Sequence, residues 1–230
     1  MIADPRLVVA LDLATAAEAR AMIERLGDAA GFYKIGLQLL ATEGMVLARE
    51  LKASGRQVFL DWKLHDIGAT VEKAAAALAA SGAGDLLTVH AEPQVMAAAR
   101  RGVEGSQLKV LAVTVLTSLS DSDLRQIGYT EPAAALVERR VRQAGEAGVH
   151  GVVASPHEAA LARRIGGPGF LVITPGVRPS GAALDDQARA AAPAEALRNG
   201  ATHLVVGRPI TAASDPREAA RAIAAEMAGA

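Results

Sequence analysis

Short apolar runs recur along the whole chain, separated by segments with a different hydrophobic pattern. Each run is rich in β-branched side chains and nearly free of polar interruptions, which is typical of a parallel strand buried on both faces. The pattern predicts eight strands, at residues 7–12, 32–35, 57–61, 86–90, 109–116, 150–155, 170–174 and 202–206.

The segments between these runs are rich in alanine and carry apolar residues three and four positions apart, which is the spacing of an amphipathic helix. They predict helices at residues 16–26, 37–53, 93–103, 132–147, 156–165 and 216–227. Glycines stand where four helices should end before the next strand, at Gly27, Gly55, Gly148 and Gly200. Strands and helices therefore alternate along the sequence.

This alternation indicates an α/β fold, for which two architectures compete. Eight strand–helix units in 230 residues suit a (β/α)8 TIM barrel, which typically has about 250 residues and rarely fewer than about 200. An open, doubly wound sheet would place a Gly-x-Gly-x-x-Gly turn after the first strand. Asp12 is instead followed by Leu-Ala-Thr, and the pair Gly82 and Gly84 precedes a strand. We predict the barrel, as a single domain over residues 1–230, because no linker or composition break divides the chain.

Composition argues against several classes of protein. The longest uncharged run, residues 165–177, has thirteen residues, whereas a transmembrane helix needs about 18 or more. The first residues, with Asp4 and Pro5, lack the apolar stretch of a signal peptide. The chain has no cysteine, and its formal charge of −1 gives no field that would attract nucleic acid or an anionic membrane. We therefore expect a cytoplasmic protein without a nucleic-acid or membrane partner.

Charged side chains lie at or near the carboxyl ends of the first three predicted strands, at the end of the barrel where TIM-barrel chemistry takes place. Asp12, Lys34, Asp61 and Lys63 lie there, and strand alternation puts Asp61 and Lys63 on the same face. Carboxylates beside ammonium groups keep both ionised, and a lysine held protonated can act as a general acid towards a carbanion. A single Asp–Lys pair favours a structural salt bridge. Four charges from three strands favour a functional site.

The loops after the seventh and eighth strands form a second candidate site. TIM barrels often bind phosphate there, and these loops offer Gly176, Arg178, Gly207 and Arg208. Glycine lets backbone N–H groups approach an anion, and arginine forms bidentate charge-assisted hydrogen bonds. Turn glycines beside solvated arginines are the alternative. The segment at residues 179–186 fits a lid over the ligand, or an ordinary surface loop.

The histidines and a serine are weaker candidates. His90 ends a strand and could contact substrate, or it could be a hydrogen-bonded structural histidine. His65 is expected to pack or to face solvent. Ser155 and His157 are separated by a proline and show no triad order, which argues against a nucleophile. The five histidines lack metal-ligand spacing, so we predict no metal site.

Seven short motifs follow one another along the chain. They are Val-Ala-Leu-Asp ending at Asp12, Tyr-Lys-Ile-Gly around Lys34, Asp-Trp-Lys-Leu-His-Asp-Ile from Asp61, Val-Thr-Val-Leu-Thr-Ser at 113–118, Thr-Pro-Gly-Val-Arg-Pro at 174–179, Asp-Gln at 186–187 and Val-Gly-Arg-Pro-Ile at 206–210. Taken together, these motifs resemble the orotidine 5′-monophosphate decarboxylase family, and the match runs along the whole chain. The third-strand motif and the Thr-Pro-Gly-Val-Arg-Pro loop are the most specific. One departure is Gly68-Ala69, where the family commonly has Pro-Asn, and we expect only a local backbone difference there.

The resemblance implies a decarboxylase that uses no cofactor and converts orotidine 5′-phosphate to uridine 5′-phosphate and carbon dioxide in pyrimidine biosynthesis. It implies that Lys63 donates the proton to C6 and that Asp61 lies beside the departing carboxyl group. It also implies that Asp66, Ile67 and Thr70 reach into the site of a partner subunit, so that a homodimer shares its active sites.

The same resemblance assigns the remaining substrate contacts. Asp12 and Lys34 match contacts to the ribose hydroxyls, and Thr117 matches a contact to the pyrimidine. The residues that match the phosphate-binding group are Arg178, Gln187, Gly207 and Arg208.

Two alternative functions stay open at this point. Related phosphate-binding barrels, such as 3-keto-gulonate-6-phosphate decarboxylase and hexulose-phosphate synthase, share the Asp-x-Lys-x-x-Asp motif but use magnesium held partly by an acidic residue on the second strand. That position here is Lys34, which would repel the metal. The other alternative is a nucleotide-binding barrel that has lost catalysis. The complete set Asp61, Lys63 and Asp66 argues against it.

Overall fold

The computed structural model describes residues 3–179 and 191–230, and its centre is a closed barrel of parallel strands. Each strand pairs with the next one in sequence, and the last pairs with the first. The strands are β1 (Leu7–Ala10), β2 (Phe32–Ile35), β3 (Gln57–Leu64), β4 (Leu86–His90), β5 (Lys109–Val113), β6 (Gly151–Val153), β7 (Leu171–Thr174) and β8 (His203–Val206). This is the predicted (β/α)8 TIM barrel.

Helices connect the strands on the outside of the barrel. In the described ranges they are α1 (Ala16–Leu26), α2 (Leu37–Leu40), α3 (Gly44–Ala53), α4 (Gly68–Ser81), α5 (Pro93–Gly102), α6 (Asp121–Gln126), α7 (Ala133–Glu146), α8 (Ala159–Gly166), α9 (Pro193–Arg198), α10 (Arg208–Thr211) and α11 (Pro216–Ala228). A short 3-10 helix at Gly27–Ala29 follows α1. Within these ranges, no helix is long and apolar enough to span a bilayer.

Several predicted boundaries were wrong, each at a turn. The helix predicted at 37–53 is two helices, because the chain turns where Gly44 approaches the Leu39 carbonyl and a Cβ would lie 2.8 Å from its oxygen. The helix predicted at 156–165 begins at Ala159, because Ser155 and Glu158 close a turn in front of it. Strands β1, β5, β6, β7 and β8 are shorter than predicted and β3 is longer.

Four glycines confirm the predicted helix ends. Gly27, Gly55, Gly148 and Gly200 have φ angles of 57°, 78°, 69° and 102°, and each lies directly after a helix or one residue beyond its cap. Side chains with a Cβ rarely adopt this left-handed region, so glycine is favoured where the chain reverses towards the next strand.

The core has two layers, and together they restrict where a ligand can bind. An outer layer packs the strands against the helices, and it includes the fully buried Tyr33 and Leu87. An inner layer fills the barrel itself and is apolar: Val8, Ala10, Phe32, Phe59, Leu86, Leu111, Ile173 and Val205. Because these side chains close the barrel, a ligand finds room at its mouth, where the loops after the strands meet.

Candidate active site

A cavity of about 580 Å³ opens at the carboxyl ends of the strands. Its volume lies within the range of small-molecule sites in proteins. The floor of the cavity is the inner layer, with Ala10, Phe59 and Val205. The residues proposed from the sequence that line it are Asp12, Lys34, Asp61, Lys63, Thr117, Gly176, Arg178, Gly207 and Arg208.

The four charged residues of the first three strands form one continuous array. Lys34 Nζ lies 2.8 Å from Asp12 Oδ1 and 3.4 Å from Asp61 Oδ2. Lys63 Nζ lies 3.0 Å from Asp61 Oδ1. Carboxylate and ammonium groups therefore alternate across the cavity wall, as the sequence predicted.

Burial and neighbouring cations act in opposite directions on Asp61. Its side chain is 13% exposed, and this burial raises the pKa of the carboxyl. The attraction of Lys34 and Lys63, together with hydrogen bonds from Lys63 and Thr88, outweighs burial and holds the pKa of Asp61 below its usual value. Asp61 is therefore ionised at neutral pH, and its carboxylate forms ion pairs with both ammonium groups.

The end of β3 departs from regular strand geometry. Alternation predicted that Asp61 and Lys63 share a face while Trp62 takes the other, and Trp62 does pack in the outer layer. Lys63, however, has a φ of 48°, and it is the one non-glycine residue with positive φ in the described ranges. A left-handed residue in a strand costs free energy, and such strain is concentrated at functional sites.

The loops after β7 and β8 bring two arginines to the same cavity. Arg178 is buried and follows Gly176, whose φ is 78°. Gly207 precedes Arg208, the first residue of α10. Gln187 and residues 180–186 of the predicted lid lie outside the described residues.

Asp66, Ile67 and Thr70 do not line the cavity of their own chain. They lie at the end of β3 and the start of α4, and all three are exposed. Ile67 is 77% exposed, which is unusual for an isoleucine, and its backbone N–H donates to Asp66 Oδ1 at 2.6 Å. The helix begins at Gly68, so the change from Pro-Asn to Gly-Ala leaves the start of this helix intact.

The histidines belong to a neighbouring polar cluster. The rings of His65 and His90 lie 5.1 Å apart, and His65 Nε2 is 3.8 Å from Glu92 Oε2. Burial lowers the pKa of His90, so its ring is neutral at neutral pH. Neither histidine lines the cavity. Within residues 3–179 and 191–230, no group of three or more His, Asp and Glu side chains could hold a metal ion.

Two residues at the site were missed by the sequence analysis. Thr88 is fully buried, and its hydroxyl bonds Asp61 and the backbone of Lys63. Gly36 lies against the first ion pair, and a Cβ there would be 2.8 Å from Asp12 Oδ1. Signals existed for both, since Thr88 interrupts an apolar run and Gly36 belongs to the Tyr-Lys-Ile-Gly motif.

Comparisons with known proteins agree with this geometry. Residues 5–223 match the model of the orotidine 5′-phosphate decarboxylase / HUMPS family. A protein named orotidine 5′-phosphate decarboxylase from Caulobacter sp. (strain K31) is 69% identical over 229 residues and is aligned along 100% of both chains. One with the same name from Methylobacterium sp. (strain 4-46) is 57% identical over 226 residues, which are 97% of this chain and 95% of that one.

A solved structure extends the likeness to three dimensions. The crystal structure of orotidine 5′-phosphate decarboxylase from Lactobacillus acidophilus superposes with a TM-score of 0.85 at 37% identity, covering 97% of this chain and 99% of that one. The family match covers nearly the whole barrel, and the charged array and both arginines fall inside it. The chain therefore belongs to the orotidine 5′-phosphate decarboxylase / HUMPS family.

Proposed function

We propose that the chain is a carbon–carbon lyase that decarboxylates orotidine 5′-phosphate to uridine 5′-phosphate, a step of pyrimidine biosynthesis. The names of the full-length relatives support this activity over others of the same barrel. The observation that carries it is the alternating array of Asp12, Lys34, Asp61 and Lys63 in a cavity that Arg208 also lines.

The substrate's polar groups find complementary partners in this cavity. We assign the ribose hydroxyls to Asp12 and Lys34, which offer an acceptor beside a donor. We assign the pyrimidine to Thr117, whose loop lines the cavity. The phosphate is assigned to Arg178, Gly207 and Arg208, which line the cavity, and, from the family resemblance of the sequence, to Gln187. Arginine suits this role because its planar guanidinium binds phosphate oxygens in pairs.

The reaction breaks the bond between C6 and the carboxyl carbon, and the electron pair stays on C6 as carbon dioxide leaves. The pyrimidine ring does not delocalise this sp² carbanion, so the enzyme stabilises it electrostatically. Among the described residues, Lys63 is the cation nearest to Asp61, beside which the substrate carboxylate leaves. Lys63 Nζ–H then donates its proton to C6, and the neutral amine takes up a proton from solvent.

Asp61 has two effects on this reaction. Its ionised carboxylate pairs with the Lys63 ammonium group and holds that group in place at the reacting carbon. It also repels the carboxylate of the bound substrate, which raises the ground state relative to the transition state. Binding of the distant phosphate supplies the free energy that holds the two carboxylates together.

We propose that the reaction needs no cofactor. The barrels that use magnesium hold it partly through an acidic residue on the second strand, and here Lys34 places an ammonium group in that position. The first experiment follows the ultraviolet absorbance of orotidine 5′-phosphate in excess chelator, with the wild type and with Lys63→Ala. A decline that persists in chelator and vanishes in Lys63→Ala supports the proposal. If the folded wild type causes no decline, orotidine 5′-phosphate is not its substrate.

We further propose a homodimer in which Asp66, Ile67 and Thr70 complete the partner's active site. Their exposure at the rim beside Lys63, and above all the 77% exposure of Ile67, supports this role. Mixing two inactive variants, Lys63→Ala and Asp66→Ala, tests it. If the site is shared, hybrid dimers hold one intact site each, and random exchange restores about a quarter of the wild-type activity. If Asp66 acts within its own chain, the mixture stays inactive.

We also propose that the protein is cytoplasmic and has no nucleic-acid or membrane partner. The balanced charge of the sequence, 24 basic against 25 acidic residues, supports this proposal. Fractionation of cells that express the chain tests the location.

A further inference from the structure

The pairing of β3 with β4 breaks at the residues that carry the proposed proton donor. Leu60 pairs with Leu87, and the next pair is Leu64 with Val89. Three residues of β3 therefore lie opposite one residue of β4, Thr88, and form a β-bulge. A bulge leaves backbone groups without their usual partners and changes the direction of the side chains that it carries.

The Thr88 hydroxyl supplies the missing partner. It accepts a hydrogen bond from the Lys63 backbone N–H at 2.9 Å and donates one to Asp61 Oδ1 at 3.0 Å. The same Oδ1 atom contacts Lys63 Nζ at 3.0 Å. The backbone and the ammonium group of Lys63 are thus both tied to one carboxylate oxygen, the first through Thr88 and the second directly.

The hydroxyl of Thr88 is buried and has both of the hydrogen-bonding functions that this position uses. Thr88 is 0% exposed and does not line the cavity, so it does not contact substrate. A hydroxyl can accept from Lys63 and donate its single proton to Asp61 at the same time, whereas an apolar side chain of equal size can do neither. Lys63 also needs the support, because its φ of 48° is unfavourable for any residue with a Cβ.

We propose that Thr88 is a positioning residue for the reaction, whose hydroxyl holds the bulge of β3 and thereby sets the Lys63 ammonium and the Asp61 carboxylate relative to C6. This inference rests on the proposed function. Reacting groups must be held within a fraction of an ångström of their productive geometry, and a lysine stem with its free rotations depends on its backbone for that.

The hydroxyl also affects the ionisation of Asp61. The groups that face this carboxylate are Lys34 from β2, Lys63 from β3 and Thr88 from β4, with Asp12 beyond Lys34. Loss of the hydroxyl removes one hydrogen bond to the charged form, so the pKa of Asp61 rises and the acid limb of the rate profile moves to higher pH.

The experiment compares Thr88→Val, which keeps the shape and removes the hydroxyl, with Thr88→Ser, which keeps the hydroxyl. Thr174→Val is the matched control, because Thr174 is equally buried and its hydroxyl has no hydrogen-bond partner in the described part of the chain. We expect Thr88→Val to lower kcat by about 100-fold with little change in KM. We expect Thr88→Ser and Thr174→Val to stay within about threefold of the wild type.

Hydrogen exchange of the Lys63 amide, followed by NMR, gives a second readout that is independent of turnover. It should accelerate at least about tenfold in Thr88→Val and stay unchanged in Thr174→Val. A role in folding alone predicts a lower Tm for Thr88→Val with an unchanged kcat, and that result overturns the proposal. So does an unchanged exchange rate.

The experiment also distinguishes a failure of the proposed function and a failure of Thr88→Val to fold from a failure of the Thr88 proposal. If the wild type itself does not consume orotidine 5′-phosphate, the proposed function fails, and the exchange rate alone decides whether Thr88 holds Lys63. If Thr88→Val does not fold, Thr88→Ala replaces it. A kcat of Thr88→Ala equal to that of Thr88→Ser then contradicts the proposal.

Discussion

Removal of the Lys63 ammonium should abolish turnover while the barrel still folds. Lys63 lies at the rim of the barrel with its side chain 25% exposed, so its loss leaves the apolar core untouched. Asp61 keeps Lys34 and Thr88 as partners, at 3.4 Å and 3.0 Å. The carboxylate is therefore not left as an unpaired buried charge, which would be strongly destabilising.

The magnitude follows from the two tasks of this lysine. A cation about 4 Å from a developing carbanion contributes about 4 kcal/mol at an effective dielectric constant of about 20, or about a thousandfold in rate. Proton donation by a positioned general acid contributes about 100-fold to 10,000-fold more. Lys63→Ala should therefore lower kcat by at least about 100,000-fold.

The assay is the absorbance change of orotidine 5′-phosphate under single-turnover conditions, with urea unfolding as the measure of stability. Lys63→Gly is the matched variant, because glycine adopts a φ of 48° without the cost that alanine incurs. Both variants should be inactive, and Lys63→Gly should be the more stable by about 1 kcal/mol. A kcat within about 100-fold of the wild type in either variant would refute the role of Lys63.

Two other predictions concern the phosphate site and the bottom of the barrel. Arg208→Ala should lower kcat/KM by about 100-fold, because a charge-assisted hydrogen bond to phosphate contributes about 3 kcal/mol. A kcat/KM close to that of the wild type would show that Arg208 does not bind the phosphate. Burial lowers the pKa of His203 from 6.5 to about 4. Between these two pH values, the imidazole of His203 is protonated in the unfolded chain and neutral in the folded chain. From pH 7 to pH 5 the free energy of unfolding of the wild type should therefore fall by about 2 kcal/mol more than that of His203→Gln, as measured by urea unfolding. Equal losses in the two proteins would contradict the lowered pKa of His203.

Much of the molecule could be predicted from local pattern. Continuous apolar runs are what a strand buried on both faces requires, and their alternation with amphipathic segments allows few topologies. The carboxyl ends of parallel strands meet at one end of a barrel, so the polar residues at or near those ends could be assigned to one site before any contact was known. Lys34 and Asp61 are such residues, and both line the cavity.

The predictions were least accurate where the chain turns. The division of the helix at 37–53 depends on a close approach between Gly44 and the Leu39 carbonyl, which is a contact across a turn and leaves no periodic signal. The late start of α8 depends on hydrogen bonds between Ser155 and Glu158. Such local contacts compete with helix propensity and decide where an element begins.

The sequence by itself determined the barrel and the set of charges at its mouth, because hydrophobic period and residue order encode both. The tertiary structure alone decided how those charges meet. Alternation along β3 predicted that Asp61 and Lys63 share a face, but it gave no sign of the bulge or of the φ of 48° at Lys63. At this bulge the Lys63 backbone N–H bonds the hydroxyl of Thr88, which is 25 residues further along the chain and is brought beside Lys63 by the pairing of β3 with β4. A contact between distant residues forms only when the sheet closes, so no local pattern records it.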